Sequence, residues 1–181
     1  MFYDDPAIVE LRLTAKQIDN AKRYAERPFV DDEHSVDRPE HVRKAWRLNS
    51  LYAELAAQSY FMVAWNEGRR DAPDLADFIE VKDAPYPFPE LPVQLHNCRD
   101  GHAYVLTSTL AFPLVKIYAF AWGASIKAKQ HTENKGGAGG TVAHYVKLTD
   151  PIMLEPWRLC VEIRERQIPI DMGYQWGAER V

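Results

Sequence analysis

Pro73-Asp74-Leu75-Ala76-Asp77-Phe78-Ile79-Glu80-Val81-Lys82 is the stretch on which the fold turns. Its second half mixes aromatic and β-branched residues with charged ones, which predicts a strand over Phe78 to Lys82. Side chains alternate across a strand at about 3.3 Å per residue. Phe78, Glu80 and Lys82 are therefore expected on one face, with Glu80 and Lys82 about 6 to 7 Å apart along the chain. Downstream, Pro85, Pro87, Pro89 and Pro92 lack the N–H that a central ladder needs, and a stiff surface connection is expected there.

Upstream the period changes from two to between three and four. Thr14 and Gln17 have capping-box spacing, with Ile18, Ala21 and Ala25 on one face, so a first helix is expected to start at Thr14 and end near Pro28. Asp31-Asp32-Glu33-His34-Ser35 reads as a loop, and Pro39 suits the first turn of a second helix. In that helix, from Glu40 to about Tyr60, Ala45, Leu48, Leu51, Leu55 and Ser59 recur at steps of three and four, while Ala53, Ala56 and Ala57 permit close packing. Glu54 lies among these apolar residues, where a carboxylate needs a partner or a metal.

After the prolines, strands are expected at Val93 to His96, Ala103 to Thr107 and Leu114 to Trp122, then a short helix over Gly123 to Gln130. Gly136-Gly137-Ala138-Gly139-Gly140 reads as a mobile loop or hairpin tip. Thr141 to Leu148 resumes strand character, and Pro156 opens a last helix through about Arg166. The expected architecture is α/β (α+β): one domain with a mixed central β-sheet flanked by helices. Residues 1–38 form an N-terminal helical extension in this reading, 39–166 the core and 167–181 a tail.

Length and composition agree with one domain. A chain of 181 residues can bury a sufficient core, and 46% hydrophobic with 27% charged residues is ordinary for a globular protein. Two cysteines, Cys98 and Cys160, and a polar acidic start lead to the expectation of an intracellular, cytoplasmic protein with free thiols. The longest apolar run, around Ala111 to Ala121, is interrupted by Pro113 and Lys116, so no membrane association is expected. A net charge of −4 argues against a general nucleic-acid coat protein. Charge is uneven, however: from Leu91 to Asp150 six Lys/Arg stand against three Asp/Glu, leaving +3 beside an acidic candidate site.

The spacing Pro73-Asp74-x5-Glu80-Val81-Lys82 resembles the active-site motif of the PD-(D/E)XK, or restriction-endonuclease-like, nuclease superfamily. Glu54 on a long helix before the motif adds to the likeness. So do the hydrophobic strands after it, Tyr104-Val105-Leu106 and Val115 to Gly123, which look like those of small phage and bacterial members. The resemblance covers roughly residues 41 to 130. It implies a restriction-endonuclease-like core and Mg²⁺-dependent hydrolysis of DNA, with Mn²⁺ as a substitute and a homodimer as an arrangement for cutting two strands. It further implies Asp74, Glu80 and the Val81 carbonyl as metal ligands. Glu54 would bind a second metal or a metal-bound water, and Lys82 would position the attacking water. Asp77 or Asp71 replaces Asp74 if the turn is drawn differently. The plainer alternative is a Glu80–Lys82 cross-strand ion pair on a solvent face.

Other residues carry secondary expectations. Gln94 and His96 share a face of the expected next strand and are candidates for contacting substrate phosphate, as are the basic Lys116, Lys127 and Lys135. The spacing His96-x-Cys98-x3-His102 does not match the common zinc pairs. The glycine-rich segment lacks the Gly-Lys-Ser/Thr of a phosphate-binding loop, and His131, Lys135 and His144 around it suggest closure over nucleic acid or simple disorder. The five tryptophans read mostly as core, with Trp176 as a candidate for stacking on a second subunit or a base.

Overall fold

Thr14 begins the first helix as its spacing predicts. Its hydroxyl accepts from the Gln17 N–H, and the Gln17 side chain accepts in return from the Thr14 N–H at 2.9 Å. The computed structural model describes residues 8–27, 39–66, 72–87, 89–129, 133–134, 144–170 and 179–180. In chain order the elements are β1 (Val9–Arg12), α1 (Ala15–Ala25), α2 (Glu40–Phe61), β2 (Ile79–Asp83), β3 (Glu90–Val93), β4 (Ala103–Ser108) and β5 (Leu114–Trp122). They are followed by α3 (Gly123–Lys129), β6 (Glu133–Asn134), β7 (His144–Lys147), α4 (Pro156–Glu165) and β8 (Glu179–Arg180).

Among the described residues the main sheet has the order β2-β4-β5-β1-β8, and a smaller sheet has the order β3-β7-β6. β2 runs parallel to β4, and the other pairs of the main sheet are antiparallel, so the sheet is mixed. Strand alternation then divides the core in two. Ile79, Val81, Val105, Val115 and Ile117 face one way and pack with Leu51 and Leu55 of α2 and Leu159 and Ile163 of α4. Tyr104, Leu106 and Ala121 face the other way, against Leu91, Val93 and Val146 of the small sheet and Ile126 of α3. The molecule is thus a mixed α/β structure with helices flanking a mixed sheet.

The second half of α2 is buried on every side from Leu51 to Gln58, not along a single stripe. α1 lies along it on one side, where the buried Gln17 amide donates to Ser59 Oγ at 2.9 Å, and the sheet lies on another. That is why Ala53, Ala56 and Ala57 are all inaccessible.

Three expectations need correction. Residues 1–38 are not only helical, because Val9-Glu10-Leu11-Arg12 forms β1 between β5 and β8, and part of the supposed tail forms β8. β1 is four residues long, too short for its alternation to stand out. The strand expected at Val93 to His96 instead spans Glu90–Val93, and Leu95–Asn97 form a 3-10 turn. Pro92 is accommodated because β3 lies at the edge of its sheet, where a missing N–H breaks no central ladder. Asp71, the glycine-rich segment, His131, Lys135 and Trp176 lie outside the described residues.

Candidate functional site

The short connection from Asp74 to Glu80 is a tight reversal along the open edge of β2. Leu75 N–H donates to the Ile79 carbonyl at 3.0 Å and Ile79 N–H donates back at 3.1 Å, with Ala76 in the left-handed region at φ 47°.

 Met62, which caps the end of α2, is also left-handed at φ 56°, so both reversals that flank the site use the same backbone region. Asn66 pins the turn: its side-chain amide donates to the Pro73 carbonyl at 2.7 Å and to the Ala76 carbonyl, while its N–H donates to the Asp74 carbonyl at 3.0 Å. Carried one residue beyond the Leu75–Ile79 pair, this register sets Asp74 opposite Glu80. Asp74 Oδ2 accepts from the Val81 N–H at 2.6 Å, whereas Asp77 is exposed.

The ladder also fixes the direction of the Val81 carbonyl. The Phe78 carbonyl accepts from Ala103 N–H and the Ala84 N–H donates to the Thr107 carbonyl, so alternate residues of β2 bond to β4. Val81 falls between them and turns both its N–H and its C=O to the open edge, where the N–H meets Asp74. The sequence motif alone does not reveal this.

Glu54 reaches the same edge from α2. It is buried, and its carboxylate accepts from Trp65 Nε1 at 2.8 Å, with Trp65 held edge-on by Tyr24 of α1 at 4.8 Å. Burial, and then the neighbouring Asp74 charge, push its pKa up to about 8, against the Trp65 hydrogen bond and the Lys82 charge. Burial also raises Asp74, opposed by Lys82 and the Val81 hydrogen bond, with Glu80 adding to the rise.

Glu80 and Lys82 share a face of β2, and Lys82 Nζ lies 3.2 Å from Glu80 Oε2. On the other side of Glu80, the buried Nδ1 of His102 lies 3.5 Å from Oε1 and makes no hydrogen bond among the described residues. Nothing in the sequence reading places His102 beside Glu80. The signal lay in the parallel β2–β4 pairing, which brings the residue just before β4 next to the motif strand.

The structure therefore gathers Glu54, Asp74, Glu80, Lys82 and the backbone of Val81 in one electrostatic neighbourhood. It does not bring the secondary candidates there in the way expected. Gln94 and His96 are exposed on the 3-10 turn and not on one strand face, and Gln94 Oε1 accepts from the Asn97 amide at 2.8 Å. Lys116 pairs with Glu10 at 2.6 Å, and Lys127 with Asp100 at 2.7 Å.

Hard carboxylate oxygens and a backbone carbonyl are the donors a small divalent cation prefers. Glu54 and Asp74, both with raised pKa, stand with Glu80 around Lys82, so the donor set fits such an ion in kind. Their spacing is wider than direct coordination: among the described residues, no three His, Cys, Asp or Glu side chains are grouped closely enough to hold a metal. No helix among the described residues is long and apolar enough to cross a membrane. Compared with known proteins, the chain matches no family model, no curated protein and no solved structure.

Proposed function

We propose that the protein is a Mg²⁺-dependent nuclease with a restriction-endonuclease-like core that hydrolyses phosphodiester bonds in DNA. The observation that carries this reading is the gathering of three carboxylates, Glu54, Asp74 and Glu80, around the Lys82 ammonium at the open edge of β2. Asp74, Glu80 and the Val81 carbonyl would hold Mg²⁺ or Mn²⁺, with Glu54 behind them on a second ion or a bound water. A bound divalent ion supplies a polarised phosphate oxygen and a water of lowered pKa. The chain's own groups do the rest. Lys82 brings positive charge to the place where the phosphate gathers negative charge. The Val81 N–H fixes the Asp74 carboxylate, and Trp65 fixes that of Glu54.

The direct test is cleavage of single- and double-stranded DNA and RNA with Mg²⁺ or Mn²⁺ by wild type, Lys82→Ala and Glu80→Gln. Activity that survives both substitutions belongs to another site or a contaminant. The wide carboxylate spacing favours a second reading, a non-catalytic nucleic-acid- or protein-binding module on the same fold. Mn²⁺ titration followed by electron paramagnetic resonance separates the two. Saturable binding that disappears in the Asp74→Asn, Glu80→Gln double variant supports the nuclease, and no binding at millimolar Mn²⁺ supports the binder.

A further inference from the structure

A cavity of about 600 Å³ lies at the C-terminal end of β2 and takes no part in the chemistry above. Its walls come from three places: Trp46, Asn49 and Ser50 on the first half of α2, Asp83 to Tyr86 at the end of β2, and the edge of the small sheet. Trp46, Ser50 and Glu54 follow one another at single-turn steps along α2, and four residues of helix rise about 6 Å, so the cavity and Glu54 lie on the same side of the helix. On β2, Asp83 follows Lys82 directly. Along both elements the cavity therefore begins one step from the proposed site, on the α2 side of β2, while Glu80 and Lys82 point to the other side of the strand.

We propose that this cavity takes an unpaired nucleobase of the strand whose phosphate lies at Glu80 and Lys82. Trp46 and Tyr86 are 55% and 62% exposed, an unusual display of large rings, and such rings form stacking surfaces for bases of any sequence. Asp83 and the Asn49 amide offer polar atoms to a base edge, the carboxylate as an acceptor for ring or exocyclic N–H groups. The described lining contains no lysine or arginine, so it suits a base and not a phosphate. Asp83 is held in place from below, accepting from the Thr109 N–H at 2.9 Å and the Thr109 hydroxyl at 2.8 Å. Its wall is therefore preformed. A base inside a duplex is stacked and paired, so the cavity selects single-stranded or locally opened DNA. The inference rests on the nuclease reading for the identity of the strand.

The test measures binding in EDTA, where no cleavage occurs. One fluorescent oligonucleotide carries its bases, and a second of equal length carries abasic sites throughout, so the phosphate charge is constant and the difference reports on bases alone. Wild type is expected to bind the intact strand about tenfold more tightly than the abasic one, the size of one stacked base. Trp46→Ala and Tyr86→Ala should each remove most of that preference while keeping the wild-type circular dichroism, since both rings are more than half exposed. Equal binding of the two strands by wild type, or a full preference in both variants, overturns the proposal. Base preference without Mg²⁺-dependent cleavage would remove the nuclease reading and leave the cavity as a base site. Cleavage without base preference would do the reverse.

Discussion

Among the described residues, two glutamate–lysine pairs stand on the main sheet, and they differ in balance. On β1 and β5, Glu10 and Lys116 meet at 2.6 Å with about a third of each side chain exposed, 37% and 35%. One acid answers one base, and Glu10 raises the Lys116 pKa as a simple partner does. On β2, Glu80 and Lys82 are 3.2 Å apart, but Lys82 also faces Asp74 and Glu54, both pushed up by burial. The plain alternative for the motif, a Glu80–Lys82 ion pair, is formed in the structure, and what sets β2 apart from β1 and β5 is the two further carboxylates beside that pair. Identical residue types become a surface pair or a candidate metal site according to how many uncompensated carboxylates the fold gathers around them.

Function should break the comparison most sharply. Lys82→Ala and Glu80→Gln are each expected to lower Mg²⁺-dependent cleavage at least about 100-fold, the scale on which loss of a charge-stabilising group acts. Lys116→Ala and Glu10→Gln should change it by less than about twofold. A gel assay on single-stranded DNA reads all four variants, and equal losses at both pairs would erase the distinction drawn above.

The fold was legible in the sequence where a local signal was strong, and the site where a strand period was involved. The Thr14–Gln17 capping box, β5 at Leu114–Trp122 and the Pro156 helix start are found where local rules put them. Glu80 and Lys82 share a face because strand alternation requires it. What the sequence did not expose is long-range. Trp65 meets Glu54 from 11 residues away through the docking of α1, Asn66 holds a turn that begins at Pro73, and His102 reaches Glu80 through a parallel crossover. The strand expected over Val93 to His96 gives way to a 3-10 turn at Leu95–Asn97 because a run of a few mixed residues carries no decisive period.

Stability should sharpen the comparison next. The folded pKa of Glu54, about 8, lies above the ordinary glutamate value of 4.5, so the folded state holds that proton more tightly than the unfolded one. Its contribution is therefore favourable at low pH, falls as pH rises from about 4.5 to about 8, and levels off above that. In EDTA, wild type should lose roughly 5 °C of Tm between pH 5 and pH 9 beyond any loss in Glu54→Gln, whose neutral amide does not titrate. Millimolar Mg²⁺ at pH 8 should restore part of the wild-type loss by binding the folded carboxylates, and should not do so in an Asp74→Asn, Glu54→Gln double variant. Scanning fluorimetry across pH, with and without Mg²⁺, measures both effects. Parallel curves for wild type and Glu54→Gln would mean that Glu54 is ionised and well compensated in the fold.

The smallest effect belongs to the balanced pair, and its smallness is informative. Glu10 and Lys116 stand opposite one another in the β1–β5 register, so the sheet itself aligns them and the ion pair adds little to what the ladder already fixes. Exposed pairs of this kind are screened within a Debye length of about 8 Å at physiological salt and about 3 Å at 1 M. Glu10→Gln should accordingly shift Tm by no more than about 2 °C, and 1 M NaCl should abolish even that difference. The pH-dependent loss assigned to Glu54 should persist in the same salt, because its main cause is removal of the carboxylate from water, which mobile ions do not reverse. Running both variants in low and high NaCl separates a charge that is merely paired from one that is buried without sufficient compensation. If salt instead removed the Glu54 effect and spared that of Glu10, the β2 edge would be an ordinary screened surface and the case for a cation site there would fail.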